Sequence, residues 1–581
     1  MSRTLEDKVA PDCRGANFFE IDPDIDALSA LYLPEELRAH LLPHYQRMGE
    51  IAGGELDDLA SVADRNTPVL HPRDRFGRDE DWIEYHPAYK EMERIGFLDF
   101  GLQAMTHRGG VLGWAEPLPP AAKYIFTYLF TQAEFGIMCP ISVSDTAAYL
   151  VRRHADEALK AKILPGMLSQ DAATLLRGTQ FMTEKEAGSD VGLVSTQARL
   201  EDGVWRMYGD KWFCSHADAD IAMILARPEN ARAGTKGLGL FVLPRCLDYG
   251  SRNDYRIVRL KDKLGTKSMA SGEIVLNGAE VWPVGELGNG FKQMMDQVNL
   301  SRLSHGVRAA GMMRRCLNEA LACARGRRAF GGPLIGRPMV RRQLMKILLP
   351  TEQALSVSLF TADIMAKADA GDERAAAALR LLTPLVKFRA CRDNLMVATA
   401  AMEMRGGTGY IEEFVNARLV RDAQVGVLWE GTSNIVALDA IDRAVGRADA
   451  HLALGEILEE GLELVDDFRP TLAADIRTAF KRAGRLAKRV ADHDDPGTAA
   501  RKAAGALYHA ASAAILAWEG ARLRKAGQGR RRMDIAEQVL RHRLSPVDPL
   551  EEIDGLDDDD TLARALLSVG DGDSASRAAA E

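Results

Sequence analysis

A chain of 581 residues, 46% hydrophobic and 27% charged, is too long for one small domain, and at roughly 150 residues per domain it holds about three or four units. That composition excludes a disordered or collagen-like polymer, and a formal net charge of -9 excludes a surface that is basic throughout. Cys13, Cys139, Cys214, Cys246, Cys316, Cys323 and Cys391 are scattered without CxxC or Cys/His ligand spacing, which indicates neither a disulfide framework nor a structural zinc site.

The N-terminus, MSRTLEDKVAPDCRGANFF, lacks the apolar core of a secretory signal and carries acids early, so the expected location is the cytoplasm. Residues 1–175 alternate charged and apolar positions at three- and four-residue spacing, as in EELRAHLLPHYQRM, and predict an α-helical domain. Within it, the polar stretch Asp64 to Glu84, broken by Pro68 and Pro72, predicts an extended surface excursion. The apolar region Tyr124 to Val151 is interrupted by Glu134 and Asp145, short of the ~18 uncharged residues of a membrane span, and predicts a buried helix.

From 176 to 290 the texture changes to short strands such as IAMILARP and GLGLFVLPR, a middle β domain. Asp202-Gly203 and Asn277-Gly278 are expected tight turns, because these pairs tolerate positive φ. Long helices follow over 291–447, with breaks at FGGPLIGRP and RGGTGY. The last segment, 448–581, predicts a helical extension whose end, with EEIDGLDDDD and DGDSASRAAAE, is expected to be disordered.

Four separated motifs stand out: MTEKEAGSDVG (182–192) with GDKWFCS (209–215), KLGTKS (263–268) leading to GELGNGF (285–291), RRAFGGPL (327–334), and MRGGTGY (404–410) followed by RDAQVGVLWEGTSN (421–434). Taken alone, TEKEAGSD reads as turn and cap chemistry, Arg327 and Arg328 as a solvated pair on a helix end, and Glu430 as a surface carboxylate. In this order they resemble the acyl-CoA dehydrogenase family over residues 90–445, and CPISVSDTAAYL, GDKWFCSHAD, RLKDKLGTKS, LWEGTSNI and the extension resemble its AidB-like subgroup. The resemblance implies an α+β fold: N-terminal α-helical, middle β and C-terminal four-helix-type domains, followed by the helical extension. It also implies FAD as cofactor, an acyl-CoA substrate, an electron-transfer flavoprotein as electron acceptor, and a homotetramer.

By the same resemblance, Met182, Thr183 and Ser189 belong to the flavin and pyrophosphate loop, with Ser189 also near substrate. Ser215 donates near flavin N5, and Phe213 covers the ring where the family commonly has Trp, without an indole N–H. Arg327 and Phe330 match residues that approach FAD from a neighbouring subunit, the guanidinium offering a planar fork for phosphate. Gly406, Gly407, Thr432 and Asn434 complete the cofactor set with Glu403, which stands where Gln is common. Arg337-Pro338 replaces a pair that often includes an amide, so the adenine end is expected to be held differently.

Glu430 in LWEGTSN is the reacting carboxylate implied by the resemblance. The α-C–H of a thioester is a very weak acid, so its loss needs a base coupled to hydride departure from the β-carbon. Gly431 lets the chain approach the thioester, whose carbonyl the Glu430 N–H polarises. The alternative base position, before Arg302, is Ser301, which does not serve at neutral pH without a further base. Asn299 and Arg302 are expected to face the CoA arm.

Two other readings stay open. Residues 481–543 hold 15 Lys/Arg against 6 Asp/Glu, with KRAGRLAKR and RLRKAGQGRRR, which permits DNA binding of the AidB type or only a solvated helix face. The fold can also serve as a flavin-bearing scaffold without activity.

Overall fold

A computed structural model describes residues 9–248, 250–545, 550 and 556–568. The chain runs through helices α1 (Ile25–Tyr32), α2 (Glu35–Gly53) and α3 (Glu55–Arg65), the hairpin β1 (Val69–Arg73) and β2 (Asp79–Glu84), and helices α4 (Pro87–Glu93), α5 (Pro120–Thr131), α6 (Met138–His154) and α7 (Glu157–Met167). Strands β3 (Gly178–Phe181), β4 (Gln197–Glu201), β5 (Val204–Ser215), β6 (Ile221–Pro228), β7 (Gly239–Pro244), β8 (Tyr255–Leu260), β9 (Ser271–Glu280) and β10 (Trp282–Val284) follow. Helix α8 (Gly290–Gly326) leads to the short hairpin β11 (Arg328–Ala329) and β12 (Gly332–Pro333), then to α9 (Pro338–Asp369), α10 (Glu373–Arg405), α11 (Val415–Ala423) and α12 (Ser433–Leu438). The last helices are α13 (Ala450–Asp466), α14 (Pro470–Ala491), α15 (Ala500–Lys525), α16 (Arg531–Val539) and α17 (Leu556–Leu566). Among the described residues no helix is long and apolar enough to cross a membrane.

Packing divides the chain into two compact units that cut across the four segments expected in chain order. One comprises Met1–Gly54, Pro120–Ala133 and His305–Glu581, the other Glu55–Pro119 and Glu134–Ser304. In the second unit the main sheet has the order β10-β7-β6-β4-β5-β9-β8, with β3 also on β6. Residues of α6, α7, β6, β7 and the start of α8 close over one apolar core that includes Leu150, Ile163, Met223, Leu240 and Met294, the burial that holds helices against strands.

The local chemistry explains the turns. Asp202 and Gly203, with φ of 50° and 80°, join β4 to β5 as expected. Asn277-Gly278 is not a turn: it lies inside β9, where Met207 pairs with Ala279 and Tyr208 with Asn277, so Gly278 at φ 93° forms a bulge. The polar excursion is the antiparallel β1–β2 hairpin, fixed by a fully buried Asp81 that accepts from Arg252, Arg256 and the Ile257 N–H.

In the first unit the extension is part of the packed interior. Arg532 of α16 reaches Glu519 of α15 at 2.8 Å, Asp24 at 3.1 Å and Glu352 of α9 at 3.2 Å. Arg314 of α8 adds a 2.7 Å bond to Glu352, and the Tyr32 hydroxyl donates to Glu519 at 2.7 Å. Burial raises the Glu352 proton affinity, but Arg314 and then Arg532 overcome it and hold the carboxyl down at about 2. The acidic end expected to be disordered is partly helical, because α17 buries Ala563 and Leu566, with Leu567 buried just after it. Residues 551–555 and 569–581 of that end lie outside the described residues.

Candidate active site

The loop from Met182 to Thr196 is fastened to β5 at two points. The Trp212 N–H donates to the Thr183 carbonyl at 2.8 Å, which sets Thr183 beside the strand that carries Phe213 and Ser215. Glu184 then accepts from the Ser195 N–H at 2.7 Å, the Ser195 hydroxyl at 2.8 Å, the Thr196 hydroxyl at 2.5 Å and the Lys211 ammonium at 2.7 Å. Burial works to raise the Glu184 pKa, but Lys211 and the hydroxyl donors win and bring it to about 2. Sequence reasoning missed Glu184 and Lys211, whose partners lie 11 to 27 residues away along the chain.

On this frame Met182 and Thr183 are half-buried and Ser189 is exposed at the loop tip. Ser215 is half-buried at the end of β5, its carbonyl taking the Thr179 hydroxyl at 2.6 Å. Phe213 is 57% exposed, although Cys214 beside it is fully buried. An exposed ring between a hydroxyl-bearing loop and Ser215 suits a planar aromatic ligand. In the same unit, Arg302 is buried on α8 beside Ser301 and donates to Oδ1 of the half-buried Asn299 at 3.3 Å.

In the other unit, Glu430 adopts φ 54° and Gly431 φ 97° just before α12. A left-handed backbone at a non-glycine residue costs on the order of 1–3 kcal/mol and persists only where its surroundings dictate it. Those surroundings are specific. The buried Lys387 ammonium of α10 donates to the Gly431 carbonyl, and Trp429 meets His305 edge-on with ring centroids 5.7 Å apart. A Cβ at Gly431 would lie 3.2 Å from Ile435 Cγ2. Thr432 caps α12 through its backbone, and Thr432 and Asn434 are both exposed.

The β11–β12 hairpin turns on two residues, Phe330 at φ 51° and Gly331 at φ 83°, which leaves the Phe330 ring 86% exposed at the tip. At its foot Arg327 is exposed and its guanidinium donates to the Arg405 carbonyl at 3.5 Å. Gly406 at φ 76° lies directly below, since a Cβ there would come within 3.2 Å of that guanidinium, and around Gly407 there is open space. A guanidinium beside two glycines fits a phosphate or diphosphate group. Glu403 accepts from Gln343 at 3.3 Å, and the Arg337 guanidinium lies 6.0 Å from the Phe330 ring centroid. Sequence reasoning named Arg327, Gly406 and Gly407 separately, and the fold gathers them.

Three family models match the chain in order: the adaptive response protein AidB N-terminal domain over residues 9–172, the acyl-CoA dehydrogenase middle domain over 179–279, and the acyl-CoA dehydrogenase C-terminal domain over 288–446. The putative acyl-CoA dehydrogenase AidB of Escherichia coli is 34% identical over 435 residues, covering 71% of this chain and 75% of that protein. The chain belongs to the acyl-CoA dehydrogenase family. It is therefore an FAD-dependent oxidoreductase with the family's three-domain fold. Acyl-CoA dehydrogenase family member 11 of Caenorhabditis elegans is 28% identical over 455 residues, covering 76% of this chain and 73% of that protein. The crystal structure of Caenorhabditis elegans ACDH-11 in complex with C11-CoA superposes with a TM-score of 0.86 at 25% identity, covering 94% of this chain and 95% of that one. That coverage takes in most of the extension beyond residue 446, which is thus shared with an acyl-CoA-binding relative.

Proposed function

We propose that this acyl-CoA dehydrogenase oxidises an acyl-CoA thioester to the α,β-unsaturated product with Glu430 as base, passing electrons to an electron-transfer flavoprotein as a cytoplasmic homotetramer. The observation that carries the base assignment is the pair of left-handed residues Glu430 and Gly431, a strained turn held by Lys387. Bound FAD supplies the acceptor for the hydride that leaves the β-carbon. Thr183, Ser189, Phe213 and Ser215 hold the flavin end, while Arg327, Gly406 and Gly407 hold the phosphates of a neighbouring subunit's cofactor. Glu430 takes the α-proton on its carboxylate, and its N–H polarises the thioester carbonyl so that the charge developing on that oxygen is met by a fixed dipole. The C11-CoA complex of the nematode relative supports an acyl-CoA as substrate.

Anaerobic titration of the flavoprotein with straight, branched and aromatic acyl-CoA thioesters tests this reading. Bleaching of the flavin band by one class is expected; bleaching by none, with FAD still bound, would contradict it.

A second reading, DNA binding, is favoured by one face of α14, where Lys481, Arg482, Arg485 and Arg489 are all exposed. It does not extend to Arg532, which is buried among carboxylates. Replacing Arg482, Arg485 and Arg489 by Gln is expected to lower the salt slope of DNA affinity by roughly 0.9 for each phosphate that is no longer neutralised. An unchanged slope would rule out α14 as the DNA-binding face.

A further inference from the structure

Helix α17, at the far end of the chain, lies against both feet of the hairpin that carries Phe330. On the leading foot, Arg325, at the end of α8 and two residues before Arg327, donates to the Leu567 carbonyl at 2.9 Å. On the trailing foot, Arg341, fully buried in the first turn of α9, donates to the Ile335 carbonyl at 3.0 Å and holds both carboxylate oxygens of Asp560 of α17 through the Nε–Nη2 edge of its guanidinium, at 2.7 Å and 2.5 Å. A third tie runs inward: Arg531 donates to the Leu566 carbonyl and pairs with Asp24 at 3.2 Å, on the edge of the buried charge cluster. Cations at the last carbonyls of a helix also meet the negative end of its dipole. On its inner side α17 buries Ala563 and Leu566, and Leu567 just after it is also buried, so the helix is seated by apolar contact and locked by arginines.

The hairpin itself has little to hold it. It pairs only Arg328 with Pro333 and Ala329 with Gly332, and its turn places a bulky aromatic residue in the left-handed region. Two-stranded pieces of this length are not stable alone, so the direction in which Arg327 and Phe330 point is set at the feet.

We propose that α17 is a brace that sets the reach of the Arg327–Phe330 hairpin toward the cofactor of a neighbouring subunit, with Asp560 and Arg341 as positioning residues. This rests on Arg327 and Phe330 being cofactor contacts. It gives the terminal helix a task in FAD retention that lies outside the three family domains.

The test is a thermodynamic cycle on the full chain, reading the FAD dissociation constant by flavin fluorescence. Asp560→Asn removes a charge-assisted bidentate pair and is expected to weaken FAD about tenfold. Asp560→Glu is expected to restore binding to within about threefold of the parent, since the charge returns on a longer arm. Arg327→Ala alone weakens FAD, and adding Asp560→Asn to it changes nothing further, because both act through one contact. Arg325→Gln, which leaves the buried pair intact, shifts binding in the same direction and covers the case in which Asp560→Asn folds poorly. Unchanged FAD binding in Asp560→Asn and Arg325→Gln, or full additivity with Arg327→Ala, would overturn the brace while leaving the cofactor contact standing. An Arg327→Ala variant that binds FAD normally would overturn the contact and the brace with it.

Discussion

Three buried glutamates and the glutamate of the LWEGTSN motif differ in backbone and in partners. Glu352, Glu519 and Glu184 sit on unstrained backbone and are saturated with donors: Arg314 and Arg532 on Glu352, Arg532, Tyr32 and Ser356 on Glu519, Lys211 with Ser195 and Thr196 on Glu184. Their charge is spent on the fold. Glu430 differs in its backbone, which takes φ 54° at a residue with a side chain and is followed by a glycine that is also left-handed. Asp81, a structural carboxylate, also takes a positive φ of 44°, but it is buried and held by Arg252, Arg256 and the Ile257 N–H. In the proposed mechanism the left-handed turn lets Glu430 present both its side chain and its N–H to one ligand.

The contrast can be broken in order of expected size. Glu430→Gln should slow flavin reduction by acyl-CoA on the order of 10²- to 10⁴-fold while FAD stays bound and the unfolding midpoint is unmoved. Glu519→Ala should do the reverse, costing about 3–5 kcal/mol in urea unfolding because Arg532 is left buried without its nearest carboxylate, and sparing the bleaching rate of the protein that remains folded. Glu184→Gln should cost about 2–3 kcal/mol, since Lys211 loses its carboxylate partner in a fully buried site, and should loosen FAD as the loop detaches from β5.

The same residues sharpen the comparison through pH. Glu184 and Glu352 are both held at about 2, below the ordinary value of 4.5. Their contribution to stability is complete above the unfolded pKa and is lost as pH falls from there toward 2. Acid unfolding followed by circular dichroism should therefore shift to higher pH, with a smaller slope, in Glu184→Gln. Gly431→Ala is expected to cost about 1–2 kcal/mol, from its positive φ and the 3.2 Å approach to Ile435, and to slow bleaching through a displaced Glu430. The smallest effect belongs to Arg530→Ala: this largely exposed partner of Asp534 should change stability by less than about 1 kcal/mol.

Much of the fold and part of the site were legible along the chain, and the limits follow from range. The Asp202-Gly203 turn, the helix, strand and helix order, and the family motifs depend on neighbours within a few residues, and sequence shows such neighbours directly. Asn277-Gly278 carries the same local signal as a turn, yet strand pairing across β5 and β9 makes it a bulge. Arg531 and Arg532 look like a solvated basic run until α16 packs, because the Arg531 partner Asp24 lies 507 residues away. Glu430 and Phe330 were named from their motifs, but their left-handed backbone is a property of the folded turn that no residue pattern displays.

The most direct test of the central claim is anaerobic stopped-flow reduction of the FAD-loaded parent and Glu430→Gln side by side, using the acyl-CoA thioester that bleaches the parent best. Loss of bleaching in the variant, with the same FAD content and the same thioester affinity, is the predicted result. Equal bleaching rates in the two proteins would show that another group removes the α-proton.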